Sequence, residues 1–147
     1  MNQTIIRFGY PDTLIAEYGH WVVLLRPEQP TLGSLVLAAK GEFTAFSALP
    51  PAAFAELARV TADIEEALKR AVSFEKINYL MLMMVDNHVH FHVIPRHPAE
   101  RGHGGIRVAD AGWPKAPALG EAAKLSPEQA AMLTAWLKRG WPSAGAT

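Results

Sequence analysis

Histidine occupies every second position three times in succession in the segment His88-Val89-His90-Phe91-His92. In a β-strand successive side chains point to opposite faces, so the three imidazoles would share one face, and Val89 and Phe91 the other. Neighbouring imidazoles would stand about 6.6 Å apart, and the outer two about 13 Å apart. Neutral imidazole has one lone-pair nitrogen and one N–H, so the row offers a nucleophile flanked by hydrogen-bond donors. This combination suits phosphoryl or nucleotidyl transfer.

Metal binding is the alternative, because histidine is the commonest metal ligand. One ion cannot reach all three imidazoles at this spacing, but two neighbours such as His88 and His90 could share one. An open zinc site usually has three protein ligands, and the third would come from the other histidines of the chain, His20, His97 or His103. An exposed sheet face without chemistry is a further reading, although imidazole has no strong preference for strands. The pattern therefore favours a phosphate site and leaves a metal site open.

Composition limits the class of protein. The 147 residues, 50% of them hydrophobic, suffice for one domain that spans residues 1–147. Fourteen basic residues balance fourteen acidic ones without a basic cluster, which argues against nucleic acid and membrane surfaces as partners. The absence of cysteine excludes disulfides, thiolate zinc sites and cysteine nucleophiles. No targeting segment or run of about 18 apolar residues occurs, so a cytoplasmic location is predicted.

The elements that would position the histidines can be read from the apolar pattern. Short apolar runs predict five strands, near residues 13–18, 20–26, 34–40, 76–85 and 88–95. Only two polar residues separate the last two strands, which predicts a hairpin with a tight connection. The histidine row would then lie on the return strand of that hairpin.

Two helices complete the prediction. A long helix is expected from Pro51, with an apolar stripe that begins at Phe54 and recurs at three- and four-residue spacing. A C-terminal helix should begin after Ser126 and end before Gly140. The predicted fold is α+β, a five-stranded antiparallel sheet covered on one face by the long helix and open on the histidine face. The core would span about residues 13–98, with an irregular segment and the C-terminal helix in 99–140.

The segment 88–94 resembles the His-φ-His-φ-His-φ-φ motif of the histidine triad (HIT) family, where φ is apolar. Pro95-Arg96 after the motif and the order of elements over residues 13–98 are also similar to that family. The resemblance implies a HIT-like fold and a nucleotide-binding hydrolase or nucleotidyl transferase that acts at the α-phosphate without a metal or other cofactor. It also implies a homodimer. The run 76–85, apolar on both faces, independently predicts a homodimer.

Residue roles follow from the resemblance. It implies that His90 is the nucleophile and that His88 and His92 orient it and contact phosphate. The family's Gly/Gln-containing loop before the triad is absent, and Asn87 is the nearby amide expected to contact phosphate. Ser34 stands where many members have a histidine behind the triad. By counting, the ribose-side position falls on Arg26.

Two functions remain after this comparison. One is hydrolysis or transfer through a nucleotidyl-histidine on His90, with a small nucleotide conjugate as the substrate. The other is a HIT-like module that binds a nucleotide or a metal with little turnover. Phosphoramidates, dinucleoside polyphosphates and nucleotidyl sulfates or sugars all remain open as substrates.

Overall fold

A computed structural model describes residues 1–142 and confirms the α+β class with a five-stranded antiparallel sheet. Its described helices are α1 (Gln3–Arg7), α2 (Pro51–Val72) and α3 (Pro127–Arg139). Its described strands are β1 (Leu14–Glu17), β2 (Trp21–Leu25), β3 (Glu28–Gln29), β4 (Leu35–Ala39), β5 (Lys76–Leu80), β6 (His90–Arg96), β7 (Arg101–His103), β8 (Ile106–Val108) and β9 (Ala123–Lys124).

The central sheet has the order β1-β2-β4-β6-β5, with every neighbouring pair antiparallel. β1, β2 and β4 form the expected meander, and β6 lies in the interior of the sheet between β4 and β5. Two small sheets, β3-β9 and β7-β8, lie outside it. β6 is therefore held on both sides at His92 and Val93 and by β4 at His90, which fixes the register of its side chains.

Helix α2 forms over the predicted range and covers one face of the sheet, but Phe54, where the predicted stripe begins, is 39% exposed and lies outside the core. Val60, Ile64 and Leu68 are fully buried in the core between α2 and the sheet. Trp21 of β2 also joins this core, and its indole Nε1 donates to the carbonyl of Ala53 (2.8 Å). The start of α3 agrees with the sequence as well, because Ser126 forms a reciprocal capping box with Gln129.

The histidine face lies on the opposite side of the sheet from α2, as predicted, but it is not open. His92 pairs with Val36, and His90 pairs with Ala38, in the β4-β6 register. Ile5 of α1 packs on this face and is fully buried. His90 and His92 are only 2% and 8% exposed. The prediction of an open face was wrong because it left residues 1–12 outside the core, whereas their apolar side chains cover it.

Asn2 fixes the covering helix to the sheet. Its side-chain oxygen accepts from the N–H of Ile5 (2.9 Å) and caps α1. Its side-chain nitrogen donates to the carbonyls of Ala39 (3.0 Å) and Gly41 (2.8 Å). Asn2 is 3% exposed, so water cannot readily replace these partners.

The tight hairpin was also a wrong prediction. β5 ends at Leu80 and β6 begins at His90, so residues 81–89 form an irregular connection, the 81–89 loop. Met83 has φ 55°, in the left-handed region, which interrupts the extended backbone that its apolar neighbours would favour. Met84 and Val85 are 84% and 79% exposed, so they do not belong to a buried strand. The loop instead packs against α1.

None of the helices within residues 1–142 is long and apolar enough to cross a bilayer.

Replacement of Asn2 by alanine should lower the free energy of unfolding by about 2 kcal/mol, because it removes a helix cap and leaves the buried carbonyl of Ala39 and the partly buried carbonyl of Gly41 without their donor. Urea denaturation of the variant measures this loss. Gln3→Ala, in the same short helix at an exposed position, is the matched control and should change stability little. Equal stability of the two variants would show that α1 is not held through Asn2.

Candidate active site

A cavity of about 310 Å³ lies on the histidine face of the sheet, between the N-terminal segment and the 81–89 loop. Each wall comes from a different part of the chain: Phe8 follows α1, Arg26 follows β2, and two histidines come from β6. The lining residues are Phe8, Arg26, Leu82, Met83, Met84, Val85, Asp86, His90 and His92.

The ring of His90 has a defined tautomer. Its Nδ1 lies 2.7 Å from the main-chain carbonyl oxygen of His88. A carbonyl oxygen only accepts, so Nδ1 carries the proton and donates it. In the neutral ring, Nε2 then has the free lone pair. Because His90 lines the cavity, this arrangement suits a nucleophile or a general base.

His92 has the opposite tautomer. The Nε of Arg26 donates to its Nδ1 at 3.3 Å, so the proton of the neutral ring is on Nε2. Burial, the nearby charge of Arg26 and the neighbouring His90 together lower the pKa of His92 to about 4, against a smaller opposing effect of Asp86. His92 is therefore neutral at pH 7, with one N–H to offer a ligand.

Aromatic contacts hold the two rings in place. The centroids of His90 and His92 are 5.2 Å apart, with the rings nearly perpendicular. Phe8 lies 5.5 Å from His90 and 5.9 Å from His92, centroid to centroid. These edge and tilted contacts restrict ring rotation on the side that α1 covers.

His88 belongs to the 81–89 loop rather than to β6, and its ring is not part of the cavity lining. Its Nδ1 lies 2.9 Å from the hydroxyl of Thr4, and its Nε2 lies 3.2 Å from a carboxylate oxygen of Glu42. Its backbone N–H also donates to Thr4 (3.2 Å). Both ring nitrogens are thus engaged away from the cavity, and His88 contributes its carbonyl to the site.

Of the other residues expected at the site, some line the cavity and others lie away from it. Arg26 lines the cavity and contacts His92. Asn87 is exposed and lies outside the cavity lining. Ser34 is fully buried, but its hydroxyl bonds with the backbone and side chain of Thr31 in the turn before β4. The structure brings together Arg26, His90 and His92, and not Asn87 or Ser34.

Sequence reasoning missed the N-terminal contributors, Thr4, Arg7 and Phe8. Arg7 forms an ion pair with Asp86 of the 81–89 loop (2.8 Å), which closes the covering helix against that loop. The available signal was Asn2, a good N-cap residue, followed by Ile5 and an aromatic residue three positions later.

Within residues 1–142, no group of three or more His, Asp or Glu side chains is arranged to hold a metal ion.

Sequence comparison identifies the family. Residues 9–99, more than half of the chain, match the HIT domain. The chain belongs to the histidine triad family. Among curated proteins, no sequence matches it.

Solved HIT structures have the same fold. A histidine triad protein from Sinorhizobium meliloti is 24% identical, with a TM-score of 0.70 and 95% of each chain covered. A hypothetical histidine triad nucleotide-binding protein from Sulfolobus tokodaii is 20% identical, with a TM-score of 0.65, and the match covers 93% of this chain and 88% of that one. The diadenosine triphosphate hydrolase of Plasmodium falciparum is 10% identical, with a TM-score of 0.66 over 88% of this chain and 76% of that one.

The low pKa of His92 predicts a pH dependence of stability. Between pH 6.5 and about 4 the unfolded chain protonates this histidine while the folded chain keeps it neutral. The free energy of unfolding should therefore fall as the pH decreases through this window. Urea denaturation at pH 7 and pH 4.5 should show a smaller loss for His92→Gln than for the wild-type protein. Equal losses in the two proteins would mean that His92 titrates normally.

Proposed function

We propose that this HIT protein is a hydrolase or nucleotidyl transferase that acts at the α-phosphate of a nucleotide conjugate through a nucleotidyl-histidine on His90. The observation that carries the proposal is the 2.7 Å hydrogen bond from His90 Nδ1 to the carbonyl of His88. It leaves the Nε2 lone pair of a cavity-lining ring available to attack phosphorus. The choice of a nucleotide conjugate as the substrate is inferred from membership of the HIT family.

The proposed reaction has two displacements. In the first, the lone pair of His90 Nε2 forms a bond to the α-phosphorus, and the bond to the leaving group breaks, with its electron pair going to that group. In the second, water or another acceptor attacks the same phosphorus and loses a proton, and the P–N bond breaks. The nucleotide is released, and His90 regains its lone pair.

His92 supports this chemistry as a donor. Its Nε2–H is left free by the contact of Arg26 with Nδ1, and the ring stays neutral at pH 7 because of its low pKa. A preorganised N–H of this kind can bond a non-bridging phosphate oxygen, where negative charge increases during the displacement. The buried surroundings strengthen that interaction.

A second function has its own support. The wall that the 81–89 loop presents consists mainly of Leu82, Met83, Met84 and Val85, whose side chains cannot donate to phosphate. A HIT-like module that binds a nucleotide with little turnover would fit such a wall. The two candidates differ in whether a covalent adduct forms on His90.

Replacement of His90 by alanine should abolish turnover, with a loss of at least about 10³-fold in kcat, while substrate still binds. Release of nucleoside monophosphate from a panel of phosphoramidates, dinucleoside polyphosphates and nucleotidyl sulfates measures it. Intact-mass spectrometry without acid quenching should detect the nucleotide on the wild-type chain.

His20→Ala is the matched control for this experiment, because His20 lies in the turn between β1 and β2 and outside the cavity lining. It should retain wild-type activity. A fully active His90→Ala enzyme would remove the proposed nucleophile, and a wild-type protein that binds nucleotide without releasing product would favour the module.

We also propose a homodimer. β5 is the edge strand of the central sheet, paired with β6 within the described residues, and its other edge is available to a second copy. Ile77, Asn78, Tyr79 and Leu80 are partly buried, so both faces of this edge strand pack.

Light scattering coupled to size exclusion should give twice the 16.0 kDa chain mass at micromolar concentration. The reason is that paired edge strands would satisfy the backbone groups that β5 leaves open. A particle of one chain mass that persists on concentration would contradict the dimer.

A further inference from the structure

Arg26 is held rigidly at the edge of the cavity. It directly follows β2, and its backbone N–H donates to the carbonyl of Ser34 (3.0 Å). Its side chain crosses to β6, where Nε donates to His92 (3.3 Å), and its Nη1 donates to the carbonyl of Glu28 (2.7 Å). These two anchors fix the plane of the guanidinium group.

The guanidinium of Arg26 has N–H donors that its contacts with His92 and Glu28 do not use. Of its five N–H groups, the contacts with His92 and Glu28 use two. Nη2 has no protein acceptor among the described residues. Arg26 lines the cavity, so the remaining donors are available to a ligand there.

Arg26 is the positively charged side chain of the described cavity lining. Asp86, which also lines the cavity, forms an ion pair with Arg7. His92 is neutral, and the nucleophilic role of His90 needs a neutral ring too. Within the described cavity lining, Arg26 is the one arginine or lysine. A phosphate bound beside His90 is anionic, and burial without a countercharge would be costly.

We propose that Arg26 has two roles in the reaction proposed above: it sets the tautomer of His92, and it binds a non-bridging oxygen of the substrate's α-phosphate. This assignment rests on the proposed function and replaces the ribose-side role expected from counting residues. Arg26 thereby supplies the positive charge and donors that the apolar 81–89 loop does not.

The two roles are coupled through one side chain. While Nε donates to His92 Nδ1, the proton of His92 must remain on Nε2, where it can reach the same phosphate as the Nη groups. Loss of the guanidinium would therefore remove one donor directly and free the second to change tautomer. Lysine could restore the charge but not the fixed fork of donors.

Arg26→Gln and Arg26→Lys test this assignment. Arg107→Gln is the matched control, because Arg107 is an exposed arginine of β8 that pairs with Glu100, outside the cavity lining. We expect Arg26→Gln to lower kcat by about 10²- to 10³-fold, as for loss of a preorganised donor to a transition state. Arg26→Lys should recover part of this loss, and Arg107→Gln should match the wild type.

Nitrogen-15 NMR of the His92 ring, without substrate, tests the tautomer independently of turnover. The wild-type protein and Arg107→Gln should show a protonated Nε2 and an unprotonated Nδ1, whereas both Arg26 variants should show a mixture. The charged and titratable groups that influence His92 are Arg26, His90 and Asp86. Because the charge of Arg26 lowers the pKa of His92, Arg26→Gln should also move its NMR titration to higher pH.

Binding of adenosine monophosphate, measured by calorimetry, tests the role of Arg26 in phosphate binding without requiring turnover. Arg26→Gln should bind it at least tenfold more weakly than the wild-type protein does. A folded Arg26→Gln with wild-type kcat, wild-type nucleotide affinity and an unchanged His92 tautomer would overturn the assignment. Where Arg26→Gln does not fold, Arg26→Lys with a wild-type kcat and an unchanged tautomer would overturn it. A wild-type protein without turnover but with the predicted tautomer and affinity differences would contradict the reaction alone.

Discussion

The hydrogen bond between His90 Nδ1 and the carbonyl of His88 is the interaction on which the site depends. Such a bond contributes only about 0.5–1.5 kcal/mol to folding, so its effect is chemical rather than structural. It decides which nitrogen of His90 carries the proton and which keeps its lone pair. The β4-β6 register holds His90, and Thr4 and Glu42 hold His88, so both ends of the bond are fixed.

The histidine face that carries this hydrogen bond is buried. The N-terminal segment covers a sheet face that would otherwise be wet, and it ties the 81–89 loop down through Arg7 and Thr4. Low polarity strengthens each remaining interaction but penalises any unpaired charge. This explains why His92 stays neutral and why the charge of Arg26 is held by two anchors.

Local patterns in the sequence predicted much of the fold. Alternation in 88–95 placed His90 and His92 on the face away from α2, the stripe from Phe54 predicted α2, and Ser126 predicted the start of α3. Each of these signals lies within a few neighbouring residues, where side-chain periodicity or capping decides the structure. The choice of His90 as a cavity residue needed only this local information and the family pattern.

The features that the sequence did not predict depend on distant contacts. Thr4 and His88 are 84 positions apart, and Arg7 and Asp86 are 79 apart, so no local pattern links them. The apolar composition of residues 81–85 favoured a strand, but the left-handed Met83 and the contacts with α1 produce a loop. Arg26 was found by counting, yet its partner His92 could be recognised only once the register of β2, β4 and β6 was known.

Stereochemistry at phosphorus tests the central claim most directly. Each in-line displacement inverts the configuration of the α-phosphorus, so two displacements through His90 restore it. Hydrolysis of a nucleotide conjugate with a chiral α-phosphorothioate in oxygen-18 water should therefore give net retention in the nucleoside phosphorothioate product. Net inversion would mean that water attacks the substrate directly, and it would contradict a nucleotidyl-histidine on His90.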